Sequence, residues 1–260
     1  MNRGKIVLAA ALAAVVLIVA AGLWVRTRGG DSAKNDADVG RSVAPGAPLA
    51  QQCPRYSGSA ERVSFPGDGG TTIYGSLTGP KTAKTAVVIR NGASSTICQW
   101  LPWADRISAE SGARVLLFDR RGTGGTGGVA NTGAEAADTA AAAAYLNEGQ
   151  QVRIALVGAS MGSTAVQDSV SLLLSPPCAT VLVSPVVPAL KALPVNTWIT
   201  WETQGENVNM VATSLTQRAP AGSPAHSLPV ATRHHSGQLV REHPEVLPFI
   251  TDAVKSCPTG

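Results

Sequence analysis

Ser160 is the residue around which the chemistry of this chain is arranged. It stands in Gly158-Ala159-Ser160-Met161-Gly162, after the apolar run RIALV and before TAVQDSVSLLL. The first run suits a strand buried on both faces, and the apolar spacing of the second suits a helix. A serine between two glycines at a strand-to-helix turn forms a nucleophile elbow. Side chains at the glycine positions would clash with the neighbouring strand and helix, and the serine backbone is forced into a strained conformation. The hydroxyl is thereby held clear of the sheet, above the Met161 amide and a helix N-terminus, groups suited to a developing oxyanion. The chemistry is nucleophilic acyl transfer, which needs a base for the serine proton and an acid behind that base. Histidine occurs only as His226, His234, His235 and His243, and no aspartate lies between Asp168 and Asp252.

Composition narrows the alternatives. The chain has 260 residues, 44% of them hydrophobic, enough for one domain of ordinary size with appendages. Its net charge of +4 comes from scattered basic residues, and aromatics make up only 4%. That pattern argues against nucleic acid as a partner. The four cysteines lack paired short spacing and the histidines lack ligand spacing, so no metal and no cofactor is expected. Residues 122–128 are glycine-rich but do not match a phosphate-binding loop. Asp119, just before them, reads as a structural acceptor in a tight turn.

The N-terminus reads as a targeting element. Arg3 and Lys5 precede twenty uncharged residues, 6–25, about the length that crosses a bilayer, with Trp24 at an interfacial position. An uncleaved membrane anchor is favoured over a cleaved signal peptide, because the apolar run continues past the small residues Val19-Ala20-Ala21. Either way the rest of the chain is exported: to the extracytoplasmic side of the cell membrane, or secreted if cleavage occurs. Residues 26–52 are polar and aperiodic and read as a linker, with the folded domain spanning 53–260.

From there strands and helices alternate. Residues 62–65 and 71–78 form a hairpin, and strands follow at 86–90, 114–118, 153–157, 181–184, 198–201 and 228–231. Helices are expected at 102–111, 132–146, after Ser160, at 208–216 and at 245–255. The pattern implies an α/β fold, a mostly parallel twisted sheet flanked by helices, preceded by the N-terminal apolar segment.

With these elements the chain resembles the α/β-hydrolase fold from about residue 62 to residue 255. The elbow carries the resemblance, together with FDRRGTGG, which is similar to the family's Asp-x-Arg-Gly-x-Gly turn, and a strand running into Asn91-Gly92 where many members have His-Gly. The resemblance implies that the Ala93 amide is the second oxyanion donor beside Met161, and that serine, acid and histidine follow in that order. The histidine should lie just after the last strand, which leaves His234 and His235, and His235 is preferred. His235 has Leu239 four places on, as the family often does, although Ser236 replaces the usual glycine. The acid should follow the strand at 198–201. Glu206, a few residues beyond the strand end, is preferred to Glu202.

The resemblance further implies the disulfides Cys53–Cys98, near the active-site end of the sheet, and Cys178–Cys257, at the other end. Only residues 186–193 stand where family lids are inserted, too few for a lid domain. These features imply a serine hydrolase of the carboxylesterase or lipase type acting on small-molecule or lipid esters, with the N-terminal segment as its contact with the membrane. The alternative class is a cell-envelope binding protein that keeps the fold without turnover.

Overall fold

The computed structural model describes residues 42–93, 95–149, 151–188, 192–220 and 225–258. Period-two burial builds the centre of the sheet. In β3 (Thr85–Arg90), Val87 and Ile89 face one core while Ala86 and Val88 face the other. The same alternation runs through β4 (Arg114–Phe118), β5 (Arg153–Ala159) and β6 (Ala179–Val183). Strands buried on both faces need cover on both faces.

One layer comprises α2 (Leu101–Ser111), which packs on β4, and α7 (Val246–Lys255), which packs on α2, β6 and the neighbouring strand Thr197–Glu202; Leu101, Ile107, Val246 and Ile250 join the core that holds the odd-numbered residues of β3 and β4. The opposite layer comprises α3 (Glu135–Asn147), α4 (Met161–Ser169) and α5 (Glu206–Thr216), with Leu146, Val166, Val208 and Leu215 in its core.

The sheet is completed by the hairpin β1 (Glu61–Pro66) and β2 (Thr72–Thr78) at one edge and by β7 (Thr197–Glu202) and β8 (His226–Val230) at the other. The strand order among the described residues is β1-β2-β4-β3-β5-β6-β7-β8. The pairs β1–β2 and β2–β4 are antiparallel, and every other pair is parallel. This is the mostly parallel α/β sheet that the sequence predicts. Because β3 to β8 run parallel, their C-terminal ends share one edge, the edge where such sheets place their sites.

Three features differ from expectation. The folded unit begins before Cys53, within the stretch read as a linker. Val43 N–H donates to Gly124 O and Gly46 N–H to Gly125 O, and a single helical turn, α1 (Leu49–Gln52), buries Leu49 and Gln52. Polar contacts rather than an apolar stripe hold this stretch, which is why hydropathy does not reveal it. A short helix, α6 (Gly237–Glu242), stands between β8 and α7 where no element is expected, and β8 begins two residues early.

Both disulfides form the expected pairs. The Cα atoms are 5.3 Å apart in Cys53–Cys98 and 5.1 Å apart in Cys178–Cys257, ordinary spacing for such bonds. Among the described residues no helix is long and apolar enough to cross a membrane. The expected anchor at 6–25 lies outside the described residues.

Candidate active site

Ser160 sits between β5 and α4 with φ 52° and ψ −122°, a conformation that non-glycine residues seldom adopt. Its neighbours must be glycine. A Cβ on Gly158 would stand 2.5 Å from the Gly162 carbonyl oxygen, and one on Gly162 would run into the Arg90 carbonyl oxygen of β3. The elbow therefore packs backbone against backbone. Ser160 N–H donates to Val183 O at 2.9 Å, and the Ser163 hydroxyl donates back to Ser160 O at 2.6 Å.

His235 reaches this serine from the loop after β8, with its Nε2 2.8 Å from Ser160 Oγ. Its Nδ1 lies 2.6 Å from Glu202 Oε1. With Nδ1–H donating to the carboxylate, Nε2 is left to accept the serine proton. Glu202 is the last residue of β7 and is 2% exposed. The loop beyond it stays laced to the histidine loop, with Thr203 N–H donating to Val230 O and Gln204 N–H to Thr232 O.

The other candidates lie elsewhere. Glu206, the preferred acid, is exposed at the first position of α5, and Glu202 occupies the place behind the histidine instead. The reason is register: β7 pairs with β8 through Glu202↔Val230, one residue beyond the apolar run, which aligns this carboxylate with the histidine loop. His234 is exposed and points to His243, with Nδ1 and Nε2 3.2 Å apart. His226 opens β8 and stacks on Trp198 at 4.0 Å between ring centroids.

The turn after β3 passes directly over the serine. A Cβ on Gly92 would be 3.2 Å from Ser160 Cβ, so Ala93 follows at the lip of the site. Asn91 Nδ2 donates to Ser95 O at 2.6 Å, and Arg120 Nη2 donates to Ala93 O at 2.8 Å. Met161 opens α4, where the first N–H groups have no intrahelical acceptor.

Two buried charge clusters brace this turn. Arg90, 1% exposed, pairs with Glu135 at 3.3 Å and lies over the Phe118 ring, and Arg120 shares the same carboxylate at 3.3 Å. Burial pushes the Arg90 guanidinium below its usual range, and Glu135 opposes that shift. Asp119 accepts from Gln52 Nε2, the Ile97 amide and the Gly125 amide at 2.8–3.0 Å. Burial pushes its carboxyl upward, and these donors hold it back. Neither Gln52 nor the Arg90–Glu135 pair is marked in the sequence: each reads as an ordinary polar residue at an element boundary.

Known proteins repeat this architecture. A serine hydrolase without lid from Xanthomonas campestris superposes with a TM-score of 0.65 at 14% identity, covering 79% of this chain and 98% of its own. An esterase of Pyrococcus furiosus matches with a TM-score of 0.62 at 16% identity, covering 83% and 98%. An esterase from a Rhodococcus species matches with a TM-score of 0.60 at 14% identity, covering 76% and 99%. At such identities the likeness is one of fold. No curated protein matches the chain in sequence. The sequence model of the alpha/beta hydrolase family matches residues 86–251, from β3 to α7 and so across the whole of the site. The chain belongs to the alpha/beta hydrolase family.

Proposed function

We propose that this hydrolase cleaves carboxylic esters or closely related acyl bonds through an acyl-enzyme, with Ser160 as nucleophile, His235 as base and Glu202 as acid. The observation that carries the reading is the unbroken relay from Ser160 Oγ through the His235 ring to Glu202, at 2.8 and 2.6 Å. His235 takes the serine proton, and Ser160 Oγ bonds to the acyl carbon. The carbonyl oxygen becomes an oxyanion, for which the Met161 amide at the start of α4 and the Ala93 amide in the turn after β3 are the donors. As the tetrahedral intermediate collapses, the imidazolium protonates the departing alcohol. Water then repeats the cycle against the acyl-enzyme, releasing the acid and freeing Ser160. Glu202 holds the imidazole in the required tautomer and stabilises its cation, a task glutamate performs as well as aspartate.

The same reading extends to location and substrate. Residues 1–25 serve as a membrane anchor or signal peptide, and the catalytic domain lies outside the cytoplasm. Two disulfides suit an oxidising compartment. The short span between β6 and β7 suits accessible small-molecule or lipid esters, and esterases among proteins of the same fold support this choice.

The test is covalent labelling of the full chain with a fluorophosphonate, read by intact mass. One adduct on the wild type, absent from Ser160→Ala and His235→Ala, is expected. A folded wild-type protein that takes up no adduct would leave the envelope binding protein as the better reading.

A further inference from the structure

Behind the proposed acid lies a closed circuit of polar groups, anchored on the buried Glu202 and Ser184. Glu202 uses its two oxygens for different partners. Oε1 receives His235 Nδ1–H, and Oε2 receives the hydroxyl of Ser184 at 2.6 Å. Ser184 is fully buried, one residue beyond the end of β6, and its φ is 48°. Its own amide donates to Thr200 O of β7 at 2.8 Å, which fixes the backbone from which the hydroxyl projects.

The same hydroxyl oxygen accepts the Ser236 N–H at 2.9 Å. Ser236 directly follows His235 and sits at φ 54° and ψ −119°, nearly the conformation of Ser160. A serine hydroxyl has one proton and two lone pairs. Here the proton goes to the carboxylate and a lone pair takes the amide, so neither partner can turn without breaking a bond to the buried Ser184 hydroxyl. The circuit runs from Glu202 to Ser184, to the peptide carrying His235, through the imidazole and back to Glu202. Two non-glycine residues held at positive φ indicate that the surroundings over-determine this arrangement.

We infer that Ser184 is a positioning residue that orients both the Glu202 carboxylate and the His235 backbone for proton transfer. The inference rests on the serine-hydrolase reading for its kinetic consequence, and on geometry alone for its structural one. The alternative is that Ser184 only fills a tight strand end. In that case glycine, which adopts positive φ without strain, would serve at least as well.

The test compares Ser184→Ala and Ser184→Gly in the full chain, using a short-chain p-nitrophenyl ester and the low-field proton NMR signal of His235 Nδ1–H. Losing a charge-assisted hydrogen bond predicts a fall in kcat of about ten- to a hundredfold in both variants, with KM changed by less than about twofold. The NMR signal should move upfield and exchange faster with water in both, a change that needs no turnover to be seen. If either folded variant keeps wild-type kcat and the wild-type signal, the inference is overturned. If the wild type takes up no fluorophosphonate but its signal still responds to Ser184→Gly, the hydrolase reading fails and the positioning role of Ser184 stands.

Discussion

Replacing Glu202 by glutamine removes one negative charge while preserving the shape of a side chain that is 2% exposed. The wild-type carboxylate sits 2.6 Å from His235 Nδ1, so the imidazolium formed in the reaction gains a counter-charge at close range. With about 4 Å between charge centres and an effective dielectric of about 20, Coulomb's law gives about 4 kcal/mol. At about 1.4 kcal/mol per tenfold, that is roughly a thousandfold in rate. A second loss adds to the first. The glutamine amide can turn its NH2 toward Nδ1, leaving the ring proton on Nε2, where it cannot accept from Ser160. We therefore expect Glu202→Gln to lower kcat/KM toward a short-chain nitrophenyl ester by at least about a thousandfold.

Glu206→Gln is the matched control. It removes a carboxylate from the first turn of α5, where the helix dipole makes it worth about 0.3–1 kcal/mol of stability. Its activity should stay within about twofold of wild type. The reasoning is refuted if Glu206→Gln loses as much activity as Glu202→Gln, or if folded Glu202→Gln keeps more than about a tenth of wild-type kcat/KM. Thermal melts of both variants show whether folding is intact.

Three further outcomes follow from the buried groups. Glu135→Gln strips the counter-charge from Arg90 and Arg120 and should cost about 3–5 kcal/mol in urea unfolding, because a buried guanidinium is left unpaired; a cost below about 1 kcal/mol would show that water reaches the pair. Asp119→Asn sets an amide NH2 either against the Ile97 amide at the Oδ1 position or against Gln52 Nε2 and the Gly125 amide at the Oδ2 position, and should destabilise by about 2–4 kcal/mol in the same assay. Replacing Cys178 and Cys257 by alanine together opens a crosslink across 79 residues and should remove about 2–4 kcal/mol, seen as a lower urea midpoint than the oxidised wild type has.

The parts of the molecule legible in the sequence are those governed by local chemistry. The elbow is readable because glycines at 158 and 162 are demanded by backbone contacts within ten residues or so and by one neighbouring strand. The central strands are readable because burial on both faces writes an unbroken apolar run, as in Val87-Val88-Ile89. What escapes is decided by register and distant partners. Glu202 and Glu206 both follow the same apolar stretch, and only the pairing of Glu202 with Val230 places the first beside the histidine loop. Gln52 and Arg90 look like surface polar residues until Asp119 and Glu135, far along the chain, are brought against them. Ser184 leaves no trace, since its role depends on three strands ending together.

The Cys178–Cys257 bond has a topological meaning as well as an energetic one. It closes a covalent ring that contains Ser184, Glu202 and His235, whereas Ser160 lies outside it. A single backbone cut anywhere between the two cysteines opens the ring without releasing a fragment. The acid and the histidine stay on one connected molecule with the serine, free to re-dock beside it. Cys53–Cys98 protects residues 54–97 in the same way, so a single cut in either ring leaves one covalently connected molecule.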